Sequence, residues 1–221
     1  MPNFSGIWTV TQQMQAKGQS LWPDPPLVIG QVFGGGFFAG QISTAGNGIA
    51  DYNLVVGPVA TAQSSLQWKT SNTSTAGTTS VINGPANSAA MNDATHPAAQ
   101  FCEGLTIGGF TDWYMPAKNE LDVCYYNLKP DTSGNNTSSG TNANAVPARA
   151  SNYTSGTPAQ TTATDFIIST GAQAYSSDSY WSSTEFSATR GNLQNFSTGD
   201  QTNTSNKTYS YRVRAIRRVA V

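Results

Sequence analysis

The chain has 221 residues, with 11 basic and 12 acidic side chains, so that only 10% are charged, against about 25% in an ordinary soluble domain. Uncharged polar residues fill the gap: 82 positions are Ser, Thr, Asn or Gln. A net charge of -1 creates no sequence-wide field for phosphate, which argues against a general nucleic-acid binder, and no apolar run approaches the roughly 20 residues that span a bilayer.

Residues 1–26 read as an anchoring and oligomerisation arm. The start, "MPNFSGIWTV", lacks a basic region followed by an apolar stretch, so no secretory signal is expected. "LWPDPP" stops any helix begun before it, because its prolines lack donors and push their neighbours towards an extended path. Phe4, Ile7, Trp8, Met14, Leu21 and Trp22 are costly to leave in water and are expected to bury against a partner or the domain itself.

The domain proper is expected over residues 27–221. "LVIGQVFGGGFFAGQI" reads as short strands broken by Gly34, Gly35 and Gly36, and "YNLVVGPVA" as another strand. After Pro97, Ala98, Phe101, Cys102 and Leu105 fall at helical spacing; after Pro116, Leu121, Cys124, Tyr125 and Leu128 do the same. Residues 129–164 read as a long polar surface insertion. "DFIIST", "SYWSSTEF" and "NLQNFSTG" read as short strands, and "TYSYRVRAIRRVAV" as one closing strand. Four of the six arginines lie in that last run, and one or two are expected to pair with Asp112, Glu120 or Glu185.

The titratable inventory is poor. Cys102 and Cys124 lie on the two expected helices among apolar neighbours and read as buried free thiols rather than a bridge. His96, the one histidine, and two cysteines without close spacing do not supply a zinc set. Histidine-dependent acid-base or triad chemistry would have to run through His96 alone, and Glu120 near Asp112 reads as a helix cap or arginine partner rather than half of an acid pair. The chain therefore reads as no enzyme, with no cofactor.

Taken together, the motifs resemble a known family. "GGFTDWYMPAKNEL" (108–121) is similar to the G-G-x-x-D-W-x-L-P-S-x-x-E-L motif of a domain family with a C-type-lectin-like fold, found in phage tail fibres and bacterial surface adhesins of the Legionella collagen-like type. "GQVFGGGFFAGQI" resembles its opening hairpin, "NGPANSAAM" its approach to the first helix, "YWSSTE" its central strand and "VRAIR" its closing strand. The chain departs from the pattern where Ala117 replaces the helix-opening Ser, and the calcium motifs of sugar-binding lectins are absent. The resemblance implies an α+β fold with two helices packed on short twisted antiparallel sheets and long loops, and core roles for Trp113 and Trp181. The opening segment is also similar to those of marine tailed-phage structural proteins.

The expected function is then that of a phage virion surface protein, on a tail fibre or capsid, which recognises a host surface glycan or protein through its loops. A decoration or fibre-base protein without receptor binding is the alternative. Candidate binding residues are Tyr153, Tyr175, Phe186, Arg190, Asn192 and Asp200, aromatic or polar groups in Gly- or Ser-flanked stretches. The expected partners are other virion proteins through the arm and further copies of the chain, as a trimer. No nucleic acid or membrane insertion is expected; the protein would be made in the host cytoplasm and sit on the virion. With so few charges, binding is expected to depend little on salt.

Overall fold

The computed structural model describes residues 26–202 and 204–221. The arm residues Phe4, Ile7, Trp8, Met14, Leu21 and Trp22 therefore lie outside the described residues. The fold is mixed α/β, with only 16% of the described residues helical, so sheets carry most of the core.

The first sheet starts with β1 (Val32–Phe33) and β2 (Gly36–Ile42). Gly34 and Gly35 join them, both at positive φ (55° and 83°), as a two-residue hairpin turn matched to strand twist demands. β3 (Tyr52–Val56) pairs with β2. Then α1 (Val59–Ala62) leads the chain into β4 (Gln63–Gln67) of the second sheet. Two short helices follow, α2 (Gly84–Ala89) and α3 (Pro97–Glu103), each with proline in its first turn. The stretch expected only to approach a helix is thus a helix itself, capped by Asn83 accepting from the Ala86 N–H.

The central element is α4 (Lys118–Leu128). Ala117 offers no capping oxygen, but Glu120 reaches back to accept from the Ala117 N–H at 2.8 Å, one half of a capping box. Leu121, Cys124, Tyr125 and Leu128 are all buried, as their spacing implies, and so are Glu120 and Asp122. The helix packs on β2 and on the second sheet, so nearly every face is covered.

After β5 (Ala145–Val146), which pairs with β2, come β6 (Ser179–Glu185), β7 (Arg190–Asn195), β8 (Thr204–Asn206), β9 (Ser210–Arg214) and β10 (Ile216–Ala220). The first sheet runs β1-β2-β3-β10, with β5 beside β2; the second runs β4-β9-β6-β7-β8. Among the described residues only β6 and β9 pair in parallel.

Three expectations need correction. The closing run is two strands in different sheets, divided at the fully buried Ala215, whose N–H donates to Ala62 O and whose carbonyl accepts from Gly57. "DFIIST" is no strand: residues 164–166 make a 3₁₀ turn that buries Phe166. The 129–164 stretch is packed rather than merely superficial. Buried Lys129 donates to Asn135 Oδ1 and Pro158 O, and the Asn135 amide donates to Thr154 O, Ser155 O and Pro158 O. Amides and one ammonium do there what apolar side chains do elsewhere.

Other expectations hold. Cys102 and Cys124 are buried and free. Trp113 and Trp181 are core residues, 1% and 0% exposed. Arg217 forms a bidentate pair with Asp112, and Arg218 meets Glu120 at 2.7 Å. Glu185 pairs instead with Lys207.

Candidate recognition cleft

The start of α4, the 138–152 stretch, the β6–β7 hairpin, Gln201, Thr202 and Thr204 enclose a cleft of about 420 Å³. Its walls are held by their own hydrogen bonds. The Lys118 N–H donates to Thr184 Oγ1 and the Asn119 N–H to Val81 O, which places the first turn of the helix against the second sheet. Gln201 Nε2 donates to Lys118 O. Across the cleft, Thr141 Oγ1 donates to Asn152 Oδ1 at 2.6 Å, fixing the 138–152 stretch.

The structure brings part of the sequence-derived set here. Phe186 lines the cleft and is 60% exposed. Arg190 accepts through its carbonyl from the N–H groups of Phe186 and Ser187, so both candidates share one hairpin tip, and its side chain is exposed. Asn192, two residues along β7 and hence on the same face, lines the floor and donates to Thr184 O. Asp200 is largely buried behind the wall, where it accepts from Ser139 Oγ, the Thr202 N–H and Thr202 Oγ1.

Tyr153 and Tyr175 are buried and do not line this cleft. Tyr153 is buried and its hydroxyl donates to the Asp122 carboxylate, beside Arg149. Tyr175 is fully buried, stacked on Phe196 at 3.9 Å with the Arg214 guanidinium over its ring at 4.6 Å. Both sit in polar sequence, but long-range contacts supply the apolar and charged neighbours that local composition lacks.

Sequence reasoning missed Lys118, Asn119, Ser138, Asn152 and Thr202 as lining residues. The 129–164 stretch had signalled a loop, but no local pattern ties it to the first turn of α4.

A second polar cluster surrounds His96. Its Nδ1 lies 2.9 Å from Asp93 Oδ1 and its Nε2 2.8 Å from Thr75 Oγ1, which also accepts from Lys69 Nζ at 2.9 Å. His96 therefore has partners that its sequence neighbourhood did not show. Lys69 Nζ also donates to Ser74 O, and Lys207 Nζ donates to Thr73 O and to Glu185. Burial opposes ionisation of Glu185, but hydrogen bonds from Lys207, Thr75 and Thr78 outweigh it and hold the carboxyl below its usual range. The Thr75 N–H is already committed to Glu185, so the group has the connections of a clamp on residues 69–78 rather than an open reaction site.

Among the described residues no group of three or more His, Cys, Asp or Glu could hold a metal ion. No helix among them is long and apolar enough to cross a membrane. Compared with family models, curated proteins and solved structures, the chain matches none.

Proposed function

We propose that the protein is a bacteriophage virion surface protein whose C-type-lectin-like domain recognises the host cell surface. The observation that carries this reading is the cleft: neutral hydroxyls and amides held in place by hydrogen bonds, with an exposed Phe186 at its edge and Arg190 beside it. Amides and hydroxyls on a rigid frame, with one flat aromatic, are the chemistry that glycan and protein epitopes require. The hairpin at Gly34 and Gly35, the helices after Pro97 and Pro116, and the Trp-Ser-Ser-Thr strand β6 support the C-type-lectin-like assignment.

In this reading residues 1–26 join the domain to other virion proteins and to further copies in a trimer. Single-site binding is weak, roughly micromolar to millimolar, and many copies on one particle raise it. Protein displayed on beads should adhere to host cells and not to non-host cells, with a calcium chelator present. Phe186→Ala with Arg190→Ala should abolish adhesion without unfolding the domain. Equal adhesion to both cell types, or none at any valency, would leave a second reading: a structural decoration protein. A groove of about 890 Å³ favours that role, lined by Pro26, Leu27, Ile29 and Phe33 together with Gln31, Gln41, Asn53 and Asn127, and so reaching the residue at which the proposed arm ends in sequence.

A further inference from the structure

The described lysines divide sharply. Lys69, Lys129 and Lys207 each bury an ammonium that donates to two or more carbonyl, hydroxyl, amide or carboxylate oxygens. Lys118 is the exception. It is half-buried in the cleft wall, and among the described residues its ammonium has neither a hydrogen-bond acceptor nor a carboxylate partner. Burial alone lowers its pKa, with no neighbouring acid to oppose the shift.

Among the described residues no carboxylate lines the cleft. Asp200, the acid behind its wall, accepts from Ser139 and Thr202. A partly desolvated ammonium without a counter-charge is unfavourable in the empty protein and becomes favourable when a ligand brings an anion. Arg190, exposed at the hairpin tip beside Phe186, is also without a side-chain partner among the described residues.

We infer that the cleft selects a saccharide bearing an anionic group, with Lys118 as the counter-charge and Phe186 as the platform for a sugar ring. This rests on the recognition reading above and narrows its ligand. Asn119, Ser138, Asn152 and Thr202 supply the neutral donors and acceptors that ring hydroxyls need. A peptide fits less well: the adjoining sheet edge, β8, is three residues long, too short for strand addition to contribute much. Carboxylate, sulfate and phosphate share the chemistry that Lys118 reads.

The experiment compares full-length protein on beads binding one oligosaccharide backbone in neutral, uronate, sulfated and phosphorylated forms. At least one anionic form should bind about tenfold more tightly than the neutral form. The preference should fall with added salt, unlike the weak salt dependence that the overall charge alone implies. It should vanish in Lys118→Gln and persist in Lys118→Arg. Lys118→Gln should also keep or raise the unfolding midpoint, which separates loss of a ligand contact from loss of structure. Equal binding of neutral and anionic forms, or a preference unchanged in Lys118→Gln, overturns the inference while Phe186-dependent cell adhesion still supports recognition. An acidic peptide that competes as well as the acidic saccharide overturns the ligand class. Loss of host-cell adhesion by the unmodified protein would count against the recognition reading itself.

Discussion

Tyr175 and Phe186 lie in the same serine-rich stretch and meet opposite fates. Tyr175 is enclosed by Tyr180, Phe196 and Arg214, whereas Phe186 leaves most of its surface in water. Tyr175→Ala should therefore cost about 3–5 kcal/mol, as large core truncations do, while Phe186→Ala should change stability by no more than about 0.5 kcal/mol. Urea unfolding of the two variants reads the difference directly; similar losses would place Phe186 in the core as well. The thiols make a parallel case. Burial raises both, Cys124 to about 12 even though the Tyr175 hydroxyl opposes the shift, and Cys102 well above its ordinary value. Since the thiolate is the reactive form, neither should react with a thiol reagent at neutral pH until the protein unfolds. Both should then react without added reductant.

At the scale of elements, α4 begins without a capping side chain. Two of its first N–H groups are met by Thr184 Oγ1 and Val81 O, which leaves that of Glu120 for a side chain at position 117. Ala117→Ser would supply the acceptor and should stabilise the protein by about 0.5–2 kcal/mol. An unchanged or lower midpoint would show that the buried site has no room for the hydroxyl. The turn into α3 carries a pH dependence. Thr95 hydrogen bonds, then the His96 contact, lower the Asp93 pKa from 3.8 to about 2. A depressed carboxylate contributes stability that is complete above its unfolded pKa and is lost as pH falls through its folded one. The unfolding midpoints of the parent and Asp93→Asn should therefore differ at about pH 5 and converge near pH 2. A constant difference would mean that the carboxylate charge has no part in the turn.

For the whole molecule, the decisive feature is the exchange of strands between sheets. The chain enters the second sheet after Ala62, touches the first again at the short β5 and rejoins it through β10 after Ala215, and Ala62 and Ala215 are bonded to each other. Long-range pairs hold both sheets together among the described residues, β10 with β3 and β9 with β4. Removing residues 1–26 should accordingly leave a folded domain with a cooperative transition and abolish incorporation or oligomerisation. Normal assembly of the truncated protein would deny the arm its anchoring role, and an unfolded product would make it part of the core.

Local chemistry determined a good part of this protein by itself. Proline at a first helical turn, apolar spacing after Pro97 and Pro116, and a glycine pair between short strands specify α3, α4 and the opening hairpin, because each acts within a few residues of itself. That one or two of the C-terminal arginines would meet Asp112, Glu120 or Glu185 was also legible, but that Arg217 takes Asp112 and Arg218 takes Glu120 was decided by the tertiary structure. The break at Ala215 was not legible, because alternation continues through it and only the contact with Ala62 divides the strands. Nor was the burial of Tyr153 and Tyr175, whose neighbours come from α4, the second sheet and the C-terminal strands. The cleft was half legible: Phe186, Arg190 and Asn192 share one hairpin, so local sequence keeps them together. Lys118 joins them only through tertiary contacts, in which Thr184 and Gln201 bind its backbone N–H and C=O. Those contacts place its unpaired charge in the cleft wall.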